Sequence, residues 1–283
     1  MSSAVLVLGC GFAGSAVARL ARSRGQQLLT TVRSAERARA LESDGFAVLA
    51  AAQLDEAIAA HVSADSHVVV AFPPDGQSDA RVAPALAGAR AVTYISSTGV
   101  YGDRTGMIDD TTPLPEPPSE RARRILLAEA CYREIGATVL RCPGIYGATR
   151  GLHMRILRGE HRIPGDGSRT LSRIHVEDLA ALALAAASKR AETYVVGDLE
   201  PAPHIEVVRF VCEQYGVALP PSVPWESVHE SLRADRAVDG SRALRELAVT
   251  LRYPSYREGM ARGQGTLASG QPGDASAERP SRK

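Results

Sequence analysis

The sequence predicts an α/β fold, a doubly wound parallel sheet with a small cap on its C-terminal side. Short apolar, β-branched segments alternate with alanine-rich segments of helical period, which is the pattern of strand–helix–strand units around a buried parallel sheet. A glycine-rich turn directly follows the first apolar segment. The alternation weakens after about residue 143, where glycine, proline and arginine become frequent.

Seven strands and five helices follow from this alternation. The predicted strands are short apolar or β-branched runs: Ala4–Leu8, Leu28–Val32, Phe46–Ala50, His67–Phe72, Ala91–Ile95, Ala137–Arg141 and Thr193–Val196. The predicted helices carry apolar residues at helical spacing: Phe12–Ser23, Ala35–Glu42, Leu54–His61, Ser119–Ile135 and Val176–Ser188. Crossover helices between parallel strands produce a doubly wound sheet.

The distribution of these elements predicts two structural units and a tail. Residues 1–143 together with about 170–200 form the sheet domain, and about 144–169 and 201–262 form the smaller cap. Residues 263–283 are rich in glycine, serine, proline and charge. Such a segment buries too little apolar surface to offset its ordering entropy, so a disordered tail is predicted.

Composition narrows the class of partner. The 33 basic and 32 acidic residues nearly cancel to a formal charge of +1, which argues against nucleic acid or an anionic membrane surface. No run approaches the roughly 20 apolar residues of a membrane span, and Met1 leads almost directly into a strand, so we expect a cytoplasmic protein. The four cysteines lack metal-ligand spacing, so no metal site is predicted.

The glycine-rich turn has the spacing of a dinucleotide-binding loop. Gly9-Cys10-Gly11-Phe12-Ala13-Gly14 reads G-x-G-x-x-G between the first strand and the first helix. Gly9 permits the tight turn, Gly11 admits a pyrophosphate close to the backbone, and Gly14 allows close helix–strand packing. Phe12 and Ala13 begin the helix, whose N–H groups and dipole favour an anion. The sequence therefore predicts a Rossmann-type nucleotide site.

The end of the second strand indicates which dinucleotide binds. An acidic residue at this point would accept the ribose 2′-hydroxyl of NAD. Here the strand is followed by Arg33-Ser34-Ala35-Glu36-Arg37, with no acid at the strand end and two guanidinium groups suited to a 2′-phosphate. We therefore expect NADP, with NAD less favoured. The alternative is that Arg33 and Arg37 are ordinary solvated residues at a helix start.

Three later segments resemble one protein family. They are Tyr94-Ile95-Ser96-Ser97-Thr98-Gly99-Val100-Tyr101-Gly102-Asp103, Leu140-Arg141-Cys142-Pro143-Gly144-Ile145-Tyr146-Gly147 and Arg173-Ile174-His175-Val176-Glu177-Asp178-Leu179-Ala180. With the glycine loop, they resemble the extended and atypical short-chain dehydrogenase/reductase superfamily, in its epimerase/dehydratase-like branch. The resemblance spans roughly residues 4 to 260.

The resemblance implies positions for the cofactor. It implies that the nicotinamide lies beside Ser97 and against the loop of Pro143, with Ser96 among the cofactor-binding residues, and that Phe72-Pro73-Pro74 lies near the adenosine and ribose. These residues follow the carboxyl ends of predicted strands, where ligands bind in open α/β sheets, and this location is consistent with the implied positions. The alternative is that Pro73-Pro74 only ends a strand and that Pro143-Gly144 only forms a turn.

The resemblance also exposes a departure. Active members of the superfamily carry Tyr-x-x-x-Lys on the next helix, where a close cation stabilises the phenolate. Here Arg121 aligns with the tyrosine and Ile125 with the lysine, and the only lysines of the chain are Lys189 and Lys283. The pair is therefore missing in every register, and we expect an apolar gap at Ile125 where the ammonium would sit.

Two functions remain open. In the first, an NADP-dependent oxidoreductase or epimerase-like enzyme acts on a hydroxyl or carbonyl carbon of a small polar metabolite. The Ser97 and Tyr101 hydroxyls would then share one pocket with the turn Gly144–Gly147, and Arg121 or Arg124 would stabilise an oxyanion. In the second, the chain binds the dinucleotide without catalysis, as a sensor or partner protein. A small-molecule substrate is the expected partner, and the sequence is compatible with a homodimer.

Four further arginines fall in the predicted cap. They are Arg150, Arg155, Arg158 and Arg162. They are suited to holding an acidic substrate, because a guanidinium pairs well with a carboxylate or a phosphate. Ordinary surface charge is the alternative interpretation.

Overall fold

A computed structural model describes residues 4–50, 54–75, 77–228 and 235–263. Its centre is a seven-stranded sheet in which all neighbouring strands are parallel. Numbered within this sheet in chain order, the strands are β1 (Val5–Leu8), β2 (Leu28–Val32), β3 (Val48–Ala50), β4 (His67–Val70), β5 (Ala91–Ser97), β6 (Thr138–Cys142) and β7 (Thr193–Val195). Their spatial order is β7-β6-β5-β4-β1-β2-β3.

This strand order indicates where a ligand would bind. The chain begins at β1, proceeds to one edge through β2 and β3, and then returns to the other side of β1 with β4. The direction of winding therefore reverses between β1 and β4. In open α/β sheets, the crevice outside the carboxyl ends at such a reversal is the usual ligand site.

Helices cover both faces of the sheet. The helices among the described residues are α1 (Phe12–Ser23), α2 (Ala35–Ser43), α3 (Leu54–Ala59), α4 (Ser78–Ala85), α5 (Glu120–Glu134), α6 (Leu152–Leu157), α7 (Val176–Ala185), α8 (His204–Tyr215), α9 (Ser241–Leu247) and α10 (Tyr256–Gly259). Alternate residues of a strand face opposite sides. Accordingly Val5 and Val7 pack in one core with α1, α2, α7 and α9. Leu6 and Leu8 pack in a second core with α3, α4 and α5.

Short strands at the carboxyl edge of the sheet build a cap. Ala202–Pro203, Thr170–Leu171, Arg236–Val238 and Gly106–Ile108 form a four-stranded sheet in that order. Gly144–Tyr146 pairs with Arg173–His175, and Ile163–Pro164 pairs with Ser222–Val223. A separate apolar cluster, which includes Tyr146, Val207 and Tyr256, joins α6, α8 and α10. The cap thus has its own core above the main sheet.

The predicted fold class is confirmed. All seven predicted strands form the parallel sheet, with ends shifted by at most two residues, and the five predicted helices form with small shifts. Helices α4, α6, α8, α9 and α10 were not predicted; the short α4 segment contains Pro84 and has little apolar periodicity. The predicted disordered tail, apart from residue 263, lies outside the described residues. In the described ranges, no helix is both long and apolar enough to cross a membrane.

Candidate active site

The glycine loop has the geometry that a pyrophosphate requires. Gly9 has a φ of +88°, and a Cβ built on it would lie 2.8 Å from the Cβ of Phe72. A Cβ on Gly14 would overlap the carbonyl oxygen of Gly9, so the helix approaches the turn closely. A Cβ on Gly11, in contrast, would have no heavy atom within 4 Å. Gly9 therefore forms the turn, Gly14 allows the close contact of the helix, and Gly11 leaves the open face of a cradle for the pyrophosphate.

The first turn of α1 faces this open space without a competing anion. It contains no acidic residue, and no side chain caps it. The N–H groups at the start of α1, at Phe12 and Ala13, are the groups that an anion in the cradle would use. Phe72 begins the segment Phe72–Pro74, and its close approach to Gly9 places that segment at the same edge. These residues fit a dinucleotide.

The two arginines after β2 differ in placement. The Arg37 guanidinium donates a hydrogen bond of 3.3 Å to the Ser15 hydroxyl on α1, next to the glycine loop. Arg33 follows β2 directly and is exposed at the same edge. The Ser34 hydroxyl caps α2 by accepting from the Arg37 backbone N–H at 3.2 Å. Ser34 therefore stabilises the start of the helix that carries Arg37.

A large cavity lies beside the glycine loop at the carboxyl ends of β5 and β6. Its volume is about 860 Å³. Of the predicted residues, Ser97, Arg121 and Pro143 lie in its wall, together with the Gly144–Tyr146 strand. Phe12 connects the two sites, because its ring lies 5.2 Å from the guanidinium carbon of Arg150, which is also in the wall. The cavity and the cradle are therefore neighbours that meet where Phe12 contacts Arg150.

Ser96 and Ser97 face opposite directions at the end of β5. The Ser97 Oγ accepts a hydrogen bond of 3.0 Å from the Gly99 backbone N–H, and Ser97 lies in the cavity wall. The Ser96 hydroxyl donates to Glu129 Oε1 at 2.6 Å, inside the protein. The Ser96 hydroxyl is therefore engaged inside the protein, and the predicted contact of Ser96 with the cofactor stays a prediction. Alternation along the strand separates the two neighbours.

The predicted placement of Tyr101 is wrong. Its side chain is 0% exposed, and it is not part of the cavity wall. The phenol donates to the Asp109 carbonyl at 3.3 Å and accepts from the Arg141 guanidinium at 3.1 Å. Burial raises the pKa of Tyr101, partly offset by Arg141. The phenol serves as a buried hydrogen-bonded group that holds the loop after β5.

Helix α5 presents one of its two predicted arginines to the cavity. Arg121 lies in the wall, whereas Arg124 is exposed outside it, so the placement predicted for Arg124 is wrong. Ile125 is 5% exposed and packs with Val100, Val195 and Val238. The expected gap at Ile125 is therefore filled by the isoleucine and its neighbours. Lys189 precedes β7 at the amino edge of the sheet, remote from the cavity, and Lys283 lies outside the described residues.

A buried ion pair behind the cavity was missed by sequence reasoning. Glu129 of α5 accepts from Arg141 Nε at 3.0 Å and from Nη2 at 2.8 Å. With Ser96 and Tyr101, this pair joins α5 to β5 and β6. The signal was present, because Arg141 interrupts an otherwise apolar strand, and a buried charge requires a partner.

The cavity wall is strongly basic. Its arginines are Arg104, Arg121, Arg150, Arg155, Arg158, Arg169, Arg173 and Arg236, whereas its acidic residues are Asp103 and Asp235. Three of the four arginines predicted in the cap are thus in the wall. Arg162 is not, because its guanidinium donates to the carbonyl oxygens of Gly159 and His161. In the part of the chain that the structure describes, no three histidine, cysteine or carboxylate side chains come together as a metal site would need.

The fold and this edge define a dinucleotide-binding α/β protein. Residues 5–197 match the model of the NAD dependent epimerase/dehydratase family, so the chain belongs to that family. The resemblance predicted from the sequence motifs is confirmed.

Individual relatives agree with this assignment. The chain is 26% identical to a 3-diazoavenalumate denitrifying reductase from Streptomyces sp, over 91% of this chain and 99% of the relative. It is 29% identical to a functionally unknown conserved protein from Silicibacter pomeroyi DSS, with a TM-score of 0.77 over 92% of this chain and 97% of the other. MoeE5, solved in complex with UDP-glucose and NAD, has 22% identity and a TM-score of 0.76, with coverages of 90% and 95%.

Proposed function

We propose that this protein is an NADP-dependent reductase that transfers hydride to an electrophilic carbon of a small polar metabolite. The observation that carries the proposal is the proximity of the glycine cradle to the cavity, which meet where Phe12 contacts Arg150. When bound, the reduced cofactor supplies the hydride. A family of NAD-dependent epimerases and dehydratases and a relative with reductase in its name support redox chemistry.

The side chains at the cavity suit stabilisation of an alkoxide more than proton transfer by a phenol. The described wall contains no lysine, and the phenol of Tyr146 in it is buried. Hydride transfer to a carbonyl develops an alkoxide, which the wall must stabilise. A guanidinium donor at Arg121 suits this role, and the Ser97 O–H suits donation to the same oxygen. In the balanced reaction, a carbonyl compound, NADPH and one proton from the solvent give an alcohol and NADP⁺.

The preference for NADP rests on the arginines after β2. Arg33 and Arg37 lie at the strand end where an acid would bind the 2′-hydroxyl of NAD, and Arg37 is anchored to α1 by Ser15. A guanidinium pair matches a phosphate in charge and geometry. MoeE5 was solved with NAD, so the fold alone does not decide between the two cofactors. The proposal of NADP therefore rests on these two side chains.

The test is turnover by wild type and matched variants. Oxidation of NADPH, followed by absorbance, is measured against a panel of aldehydes, ketones and oxo acids. We expect Ser97→Ala and Arg121→Met to lower kcat by about 10²–10³-fold, the loss expected for an oxyanion donor, with unchanged NADPH affinity. Arg124→Met, on the exposed side of the same helix, serves as the control and should retain full activity.

A second function has its own supporting observation. The buried Tyr101 phenol and the missing lysine leave no acid–base pair of the usual kind in the described part of the cavity. A protein that binds NADPH tightly yet oxidises it with no compound of the panel would contradict the reductase proposal. That result would favour a dinucleotide-binding sensor or partner protein.

A further inference from the structure

Arg173 is a buried cation in the cavity wall with one guanidinium nitrogen that lacks a hydrogen-bond partner. Its side chain is 6% exposed, and its Nη1 has no hydrogen-bond partner. Burial lowers its pKa, and attraction to Asp198 only partly opposes this effect. The guanidinium carbon lies 5.4 Å from the centre of the Tyr256 ring. A buried charge in such surroundings costs free energy unless a partner is supplied.

Arg141 provides an internal comparison. It is also 6% exposed, yet its Nε, Nη1 and Nη2 donate to Glu129, Tyr101 and Glu129 respectively. The fold therefore satisfies a buried arginine fully where the arginine is structural. Arg173 is buried to the same extent without that network, and unlike Arg141 it lies in the wall of the cavity. The Asp198 carboxylate, whose two oxygens also lack hydrogen-bond partners, is the counter-charge on the protein side, and the cavity is the other side from which a partner can reach Arg173.

The position of Arg173 links it to the reacting end of the site. Arg173 pairs with Gly144 in the strand register, and Gly144 follows Pro143 in the cavity wall. A Cβ on Gly144 would meet only the Ser172 carbonyl oxygen, at 3.8 Å, so the backbone there leaves space. Ser97 and Arg121 lie in the same wall. A small molecule in this cavity can therefore reach both Arg173 and Ser97.

The charge of the other residues in the cavity wall favours a negatively charged ligand. Arg155 and Arg158 lie in the wall with Arg173, and only two carboxylates, Asp103 and Asp235, oppose the arginines there. A low-dielectric cavity with one dominant sign of charge concentrates the opposite sign. Planar guanidinium groups bind carboxylates and phosphates through paired hydrogen bonds.

We propose that Arg173 binds an oxyanion group of the substrate, a carboxylate or a phosphate, and so determines that the enzyme acts on acidic small molecules. This inference rests on the proposed reductase function, because it places the oxyanion at Arg173 and the electrophilic carbon toward Ser97. It extends that function by naming the substrate class and the residue that selects it.

The test separates binding from turnover. Isothermal titration of the NADP-bound protein uses benzoate, phenyl phosphate and benzamide, the last being the neutral counterpart of benzoate. Wild type is expected to bind at least one of the two anions and not the amide. Arg173→Met should weaken that binding about 10- to 150-fold, as expected for a lost charge-assisted hydrogen bond. Arg209→Met, exposed on α8, is the matched control and should bind as wild type does.

Two variants keep the result interpretable. Methionine fills a volume similar to that of the arginine side chain, and the unfolding midpoint of Arg173→Met shows whether the fold is retained. Arg173→Lys keeps the charge without the planar fork and should retain part of the affinity. Equal anion binding by wild type and Arg173→Met, or benzamide binding as tightly as benzoate, would overturn the inference.

The outcome is independent of the reductase test. NADPH oxidation with neutral carbonyl compounds alone would also overturn the role of Arg173, while the reductase proposal would stand. Selective anion binding without any turnover would leave Arg173 as an anion site and remove the reductase.

Discussion

Single side chains at the carboxyl edge decide which chemistry this chain can perform. Ser97 and Arg121 line the cavity, whereas the neighbouring Ser96 and the nearby Tyr101 are held in a buried network. A tyrosine whose pKa is raised by burial and whose oxygen is already bonded is a poor proton carrier. The proposed chemistry therefore depends on fixed charge and hydrogen bonding instead of proton relay.

The cofactor preference is testable at Arg33. Arg33→Ala should weaken NADP binding by about 1.5–3 kcal/mol, the contribution of a charge-assisted hydrogen bond, and leave NAD binding nearly unchanged. Dissociation constants for both cofactors, measured by fluorescence titration, provide the comparison. Arg39→Ala, exposed on the same helix α2, is the control. An equal loss for NADP and NAD would show that Arg33 does not discriminate between them.

Asp198 predicts a pH-dependent stability. Burial raises its pKa to about 7, although attraction to Arg173 opposes the shift. The unfolded chain releases this proton near pH 4. Between these values the folded state binds more protons, so the contribution of Asp198 to stability is fully present below about pH 4 and is lost as the pH rises toward 7.

Asp198→Asn removes this dependence. The unfolding midpoint of the variant relative to wild type should therefore be higher at pH 8 than at pH 5.5. Other titrating groups are common to both proteins and cancel in the difference. A constant difference across this range would show that Asp198 titrates normally in the folded protein.

Helix α5 is the element that joins the sheet to the cavity. One face carries Arg121 to the cavity wall, and Glu129, two turns later, binds Arg141 of β6 and Ser96 of β5. Ser119 begins the helix by accepting from the Ala122 N–H at 3.2 Å. The position of Arg121 thus depends on a buried ion pair further along the same helix.

Breaking that pair should destabilise the protein strongly. Glu129→Ala leaves the Arg141 guanidinium buried without its carboxylate, and removal of one partner of a buried pair costs about 3–5 kcal/mol. Urea unfolding measures the change. Glu134→Ala, exposed on the same helix, should change stability by less than about 0.5 kcal/mol. A loss at Glu129 no greater than at Glu134 would show that the network is dispensable.

Over the whole molecule, local sequence patterns determined the sheet but not the polar contacts of the site. Apolar runs predicted all seven strands, and glycine spacing predicted the cradle, because both depend on neighbouring residues. The burial of Tyr101 depends on Arg141, forty positions away in the chain, and no local pattern encodes that contact. The exposure of Arg124 likewise follows from how α5 is oriented against the sheet.

In the cap, too, local sequence patterns predicted some features of the site and tertiary contacts produced the others. Clustered arginines indicated an acidic ligand, and three of the four predicted arginines do line the cavity. Arg173 was not singled out, since its motif supported only the family resemblance. Its distinguishing property, burial with an unpartnered nitrogen, arises where a cap strand pairs with the segment after Pro143. Tertiary pairing creates that property.

Gly11 tests whether the cradle couples cofactor binding to the stability of the whole molecule. Cofactor at about 100 times its dissociation constant stabilises a folded protein by about 2.7 kcal/mol, or roughly 5–10 °C in unfolding midpoint at this size. A Cβ on Gly11 meets no protein atom within 4 Å, so Gly11→Ala should unfold at the wild-type temperature without cofactor. The same Cβ occupies the space for the pyrophosphate, so the rise in unfolding midpoint on adding NADPH should disappear. Gly88→Ala, whose nearest atom lies 3.9 Å away at a remote turn, should keep the full shift, and an undiminished shift in Gly11→Ala would place the cofactor elsewhere.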